Sequence, residues 1–182
     1  MAGIEGLLRS YEKYVSIPWE SQLAGAQKVW FAVYSPMDER RLRTRLGEFE
    51  QATRQAQHNW RHCDLTPLFA QWMATHRYRD SYFAKPESLT MSLTKFETYV
   101  VETLGAVLEE EGVDEHTVIA VSGVASLFGL TRVSSVIDAV NEAIRGRLLV
   151  FFPGERDGTN YRLLDAPGSW NYLAIPITAQ ES

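Results

Sequence analysis

Apolar residues follow two different rhythms along this chain, and the stretch from Thr117 to Gly158 contains both. Val118 to Val121 is a short β-branched run closed by Ser122-Gly123. Val133 to Ile144 then carries apolar residues at 133, 136, 137, 140 and 144. Leu148 to Phe152 is a second unbroken apolar run, closed by Pro153-Gly154. Strand, helix and strand with short connections predict a parallel βαβ unit. Strands that are apolar at every position are covered on both faces. Open parallel sheets bind outside the carboxyl ends of their strands. Here those ends carry Ser122 to Arg132 and Pro153 to Gly158.

The same rules extend outward. Ile4, Leu7, Leu8, Tyr11 and Val15 share one face of a predicted N-terminal helix that Pro18 closes. It is expected to dock on the domain over residues 1–18, with a partner-binding arm as the alternative. Lys28 to Tyr34 reads as the first buried strand. Ser35-Pro36 then starts a helix reaching about Gln57, with Ser35 as N-cap and Leu42, Leu46, Phe49 and Ala56 as its buried stripe. Trp60 to Leu65 is a weaker strand toward a sheet edge, and Thr66-Pro67 opens a helix to about His76. The run from His76 to Leu89 reads as a loop that Pro86 keeps from continuing any helix. Thr94-x-x-Glu97 has capping-box spacing, so a helix should run to about Glu111 with Gly112 just past its end.

Asp157-Gly158 marks a hairpin turn between Phe152 and the run Tyr161 to Leu164. Tyr172 to Ile177 is a final strand that Pro176 assigns to an edge, and Thr178 to Ser182 should fray. The pattern predicts one α/β domain over residues 1–182. It is a Rossmann-like three-layer sandwich with a mostly parallel central sheet and a C-terminal hairpin or edge strand.

Composition narrows the function classes. The 182 residues are 45% apolar, enough for a single domain to bury a sizeable core. A net charge of −5 argues against a general nucleic-acid coat. Cys63 is the single cysteine, so no internal disulfide forms. No secretory signal is visible and the apolar runs are too short for a bilayer, so the expected location is cytoplasmic, without a membrane partner.

Candidate chemistry is sparse. Arg40, Arg41, Arg43 and Arg45 crowd one helix face as a phosphate-tracking patch or, beside Glu39, Glu48 and Glu50, a solvated one. His58, His62, Cys63 and Asp64 suggest metal ligands. On a strand, however, Cys63 points away from His62 and Asp64, and no fourth ligand has zinc spacing, so no metal is expected. Tyr78, Tyr82 and Phe83 alternate with Arg77, Arg79 and Lys85, either packing back on the domain or forming an interface or base-stacking surface. Glu109 to Glu111 read as solvent-facing charges or a docking site for a basic partner.

The turn SGVASLFGLTR has two glycines and no lysine, which is not a phosphate loop. Arg132 with Ser134 and Ser135 at a helix start could hold one anion, while Thr131, Ser134 and Ser135 are also ordinary caps. No Gly-x-Ser-x-Gly elbow exists, and Glu155 and Asp157 lack an evident acid–base partner. Neither a cofactor nor catalysis is expected.

From Val121 the segment VSGVASLFGLTRVSSVIDAVNEAIRGRLLVFFPGERDGTNYRLLD is distinctive. Gly123-Val124, Leu127-Phe128, Arg132 to Ser135, Phe151 to Glu155, Asp157-Gly158 and Arg162 to Leu164 resemble the BrxB family of BREX bacteriophage-exclusion systems. The chain departs from the family pattern in Arg156, where an aromatic residue is expected, and in Gly129, where a proline is usual. The resemblance implies a phage-defence protein without assigned catalysis, acting beside a PglZ-like phosphatase-superfamily protein, a BrxC-like ATPase and a DNA adenine methyltransferase. On that basis the expected function is a non-enzymatic adaptor binding the PglZ-like protein, and BrxC as a further partner. Arg132, Glu155, Arg156, Asp157 and Arg162 form its expected recognition edge. The alternatives are a nucleotide- or phosphate-ligand binder and a DNA-binding accessory.

Overall fold

Residues apolar at nearly every position need cover on both sides, and the architecture supplies it. A computed structural model describes residues 3–76, 79–166 and 168–179. Strands β1 (Val29–Tyr34), β2 (Asn59–Asp64), β3 (Thr117–Ser122), β4 (Arg147–Asp157) and β7 (Ile175–Thr178) lie in the order β2-β3-β4-β1-β7, all parallel. Two further strands, β5 (Asn160–Leu163) and β6 (Trp170–Asn171), add antiparallel pairs to the far end of β4.

Alternation along each strand assigns its side chains to opposite faces. In β4, Leu149 and Phe151 pack with α1 (Ile4–Val15) and α2 (Glu39–Gln55). Leu148, Val150 and Phe152 pack with α3 (Leu68–Thr75), α5 (Leu93–Leu108) and α6 (Val133–Val140). The result is the three-layer sandwich with a mostly parallel sheet that the pattern predicts. Each large side chain in these layers contributes about 1.5–3 kcal/mol by leaving water. The N-terminal helix docks as its periodicity requires, with Ile4, Leu7, Leu8, Tyr11 and Val15 all buried. The Tyr11 hydroxyl reaches Thr53 Oγ1 of α2 at 2.6 Å.

The central unit has the predicted form. β3 and β4 are neighbours in parallel register, Ile119 opposite Leu148 and Val121 opposite Val150. β2 and β7 are the edges, as Pro176 and the weaker β2 pattern indicate. The hairpin turns at Gly158, whose φ of 59° suits a residue without a Cβ.

Several boundaries differ from the sequence reading. β4 does not end at Pro153-Gly154 but runs on to Asp157. Pro153 is tolerated because it stands where β4 changes partners, and its carbonyl accepts from the Leu164 N–H at 2.9 Å. Gly154 is required there: a Cβ would fall 2.0 Å from the Arg162 carbonyl oxygen of β5. Thr94 and Glu97 form no capping box, because a 3-10 turn (Pro86–Ser92) runs straight into α5 and leaves no free helix start. The Thr66 side chain likewise caps nothing, since α3 begins at Leu68 with Pro67 in the N-cap position. Arg79–Ala84 is a short helix, α4, where a loop is expected. Arg77 and Tyr78 lie outside the described residues, as do 180–182 of the expected frayed tail, whereas Thr178 belongs to β7.

Candidate functional site

The strand order places a crevice at one end of the sheet. The chain leaving β1 crosses to the α1/α2 face, while β4 continues into a hairpin whose Tyr161 and Leu163 pack on the opposite face. Diverging connections of this kind open a binding crevice outside the carboxyl ends. Here it is a cleft of ≈ 610 Å³ bordered by Tyr34 at the end of β1, Ser35 and Asp38 after it, Gly154 and Arg156 of β4, and Thr178 of β7. Ser35 shapes its wall as the pattern predicts, its Oγ accepting from the Met37 N–H at 3.3 Å, although the first turn is 3-10 rather than α.

Behind the cleft, a polar chain fixes the neighbouring loops. The buried Tyr34 hydroxyl donates to the Glu39 carboxylate. Arg43 donates to Glu39 Oε1 at 2.8 Å and to Thr66 Oγ1 at 2.9 Å. The Thr66 N–H donates to Asp64 Oδ1 at 2.9 Å. Burial, reinforced by Glu39, pushes the Tyr34 hydroxyl well above its ordinary value, so it stays a donor. Burial would raise Asp64, but hydrogen bonds from Thr66 and the charges of Arg43 and His62 outweigh it and hold the carboxyl low. Gly123 closes the network: at φ 76° its missing Cβ would sit 2.3 Å from Thr66 Oγ1.

The five residues of the expected recognition edge lie on one continuous rim. Glu155 and Arg162 face each other across the β4/β5 ladder and form an ion pair. Arg156 stands opposite Tyr161, and Asp157 opposite Asn160 at the turn. These four charged residues border a shallow hollow of ≈ 370 Å³. Arg132 borders the adjoining hollow of ≈ 540 Å³, with Phe128 and Trp170, and Gly168 and Ser169 belong to both. Arg132 takes the N-cap position of α6 without a side-chain cap bond. Thr131 is not a cap either, because its hydroxyl donates to Glu97 of α5 instead.

Other candidates separate. On the arginine face Arg43 meets Glu39 at 2.8 Å, Arg45 meets Glu5 at 2.7 Å and Glu48 at 2.8 Å, and Arg41 stands 3.8 Å from Asp38. A phosphate backbone would compete there with carboxylates already in place. His58 stacks on Trp19, and Cys63 is buried on the side of β2 opposite His62 and Asp64. Burial pushes the Cys63 thiol up to about 11, so it stays protonated. Among the described residues no group of His, Cys, Asp or Glu is arranged to hold a metal ion. No described helix is long and apolar enough to cross a membrane.

One pair escapes the sequence reading. His62 Nε2 lies 2.7 Å from the buried Ser122 Oγ, diagonally across β2 and β3. Alternation puts His62 and Asp64 on one face, but only the β2/β3 register brings in Ser122. Among the described residues no carboxylate hydrogen-bonds the other ring nitrogen, so the pair lacks the orienting group that nucleophilic catalysis uses.

A family model described as "BREX protein BrxB" matches residues 69–175, more than half of the chain. No curated protein and no solved structure matches. The matched span contains β3, α6, β4, β5 and all five rim residues.

Proposed function

This chain belongs to the BrxB family and is thereby a component of a BREX phage-defence system, and on that premise we propose that it acts as a non-enzymatic adaptor. Its partner on this reading is the PglZ-like protein of the same system, with the BrxC-like ATPase as a further one. The observation that carries the reading is the rim: Arg132, Glu155, Arg156, Asp157 and Arg162 stand on adjoining hollows beyond the carboxyl ends of the sheet. Charged groups so placed fix register and partner choice more than they add affinity. In a pull-down with the purified PglZ-like protein, Arg156→Glu and Asp157→Lys are expected to weaken capture while leaving the melting temperature unchanged. Full capture by both variants would dismiss the assignment.

A second reading rests on the ≈ 610 Å³ cleft, which lies where open α/β sheets hold nucleotides or phosphate ligands. A nucleotide occupant should raise the melting temperature progressively with its concentration. A flat response at millimolar nucleotide would set this reading aside.

A further inference from the structure

At the other end of the sheet, the amino ends of β1, β4 and β7 surround a different cavity, of ≈ 330 Å³. Arg147, the first residue of β4, lies at its floor and is 5% exposed. Its guanidinium carbon stands 4.8 Å from the ring centre of Trp19 and 5.9 Å from that of Trp30. Two of its N–H groups donate to main-chain oxygens, of Gly146 at 2.9 Å and Glu20 at 3.0 Å. Among the described residues no carboxylate reaches it as an ion pair. The acidic group that bears on it, Glu20, is exposed on the cavity border and acts only at a distance. A guanidinium has five N–H donors, and burying its charge without a counter-charge is costly. Trp19 Nε1, in the cavity wall, is also buried without a hydrogen-bond partner among the described residues. The rim of this cavity is apolar and in water: Ile17 is 55% and Leu173 71% exposed, two of the few large apolar side chains left uncovered among the described residues.

We propose that this socket docks a segment of a partner polypeptide that inserts a carboxylate against Arg147 and covers Ile17 and Leu173 with apolar side chains. The charge calls for an anion in the cavity. The rim decides what carries it, because a free small anion would leave Ile17 and Leu173 in water, whereas a polypeptide removes them from it. The aromatic walls and buried arginine are the residue types that dominate binding at interface centres. The inference rests on the adaptor reading and adds a second contact surface, opposite the rim of Arg156.

The test uses the full chain reconstituted with the other proteins of its BREX system. A photo-crosslinking amino acid in place of Leu173 is irradiated in the complex and the adduct mapped by mass spectrometry. The expected adduct lies on a partner polypeptide within a few residues of an Asp, a Glu or a chain carboxyl terminus. Leu173→Glu, Ile17→Glu and Arg147→Lys should each weaken the complex about tenfold or more, as expected for central interface contacts. Arg147→Lys keeps the charge but loses the planar fork, so an unchanged melting temperature separates lost docking from lost folding. An adduct on a segment without a carboxylate overturns the socket. So does undiminished binding of Leu173→Glu and Arg147→Lys. If Arg156→Glu still weakens that binding, the adaptor reading survives and only the socket falls; if no variant weakens it, both fall. Arg147-dependent, saturable quenching of tryptophan fluorescence by acetate or inorganic phosphate, without any adduct, would assign the cavity to a small anion instead.

Discussion

The two ends of β4 hold their arginines under opposite conditions. Near the carboxyl end, Arg162 on the paired strand β5 is half-exposed and has Glu155 as its counter-charge. At the amino end, Arg147 is buried among tryptophans with, among the described residues, only carbonyl oxygens as acceptors. The first arrangement is nearly neutral energetically, since exposed ion pairs contribute about 0–1 kcal/mol. The second is a standing cost, because a buried ion loses its hydration and no partner restores it. A charge pattern in the sequence therefore says little about function until burial is known: the conspicuous arginines are the inexpensive ones.

This contrast can be broken in several ways. The largest effect is expected at the hand-over from parallel to antiparallel pairing. Gly154→Ala drives a Cβ against the Arg162 carbonyl at 2.0 Å and should destabilise the fold by about 3 kcal/mol or more in urea unfolding. A loss under about 1 kcal/mol would mean that β4 and β5 separate without consequence. Next comes Arg147→Met, which removes the lone charge but keeps the apolar bulk. Stability in the isolated chain should stay level or rise, by about 1 kcal/mol or more. A clear fall would show that ring stacking and the two carbonyl bonds outweigh desolvation.

A smaller effect concerns pH. Burial holds His58 below the ordinary histidine value of 6.5, with repulsion from His116 and Arg147 adding to it against a raising contact with the His116 backbone. The unfolded chain then takes up the proton first, so stability is full above 6.5 and declines as pH falls toward the lower folded value. Denaturation curves of His58→Gln should lack this decline, and an identical pH profile in the variant would exclude the Trp19 stack as its source. The smallest effect belongs to the rim. Glu155→Ala and Arg162→Ala should each change stability by less than about 1 kcal/mol, and a larger loss by calorimetry would make that pair part of the fold.

Much of the architecture was legible from apolar spacing alone. The helices follow from a period of 3.6, the inner strands from unbroken apolar runs, and the edges from Pro176 and the weaker β2 pattern. The hairpin that brings Glu155 and Arg162 face to face was legible because Asp157-Gly158 announces a turn by residue type. The helices expected after Thr66 and Thr94 form, but neither threonine caps: Pro67 takes the N-cap position of α3, and a 3-10 turn runs straight into α5. The extension of β4 past Pro153 depends on a partner strand, β5, and on the N–H of Leu164 just past its end. The Arg147 socket was invisible for a similar reason. Its walls come from Trp19, Trp30 and Leu173, which no sequence period links. His62 and Ser122 likewise meet only through strand register.

The unbroken course of β4 has a geometric result of its own. Arg147 and Arg156 sit on the same extended backbone, and at about 3.3 Å per residue it holds them roughly 30 Å apart. Molecules seated at the two ends would be kept at a set spacing, as if on a ruler. One residue added to that backbone would lengthen it and also turn every following side chain to the opposite face.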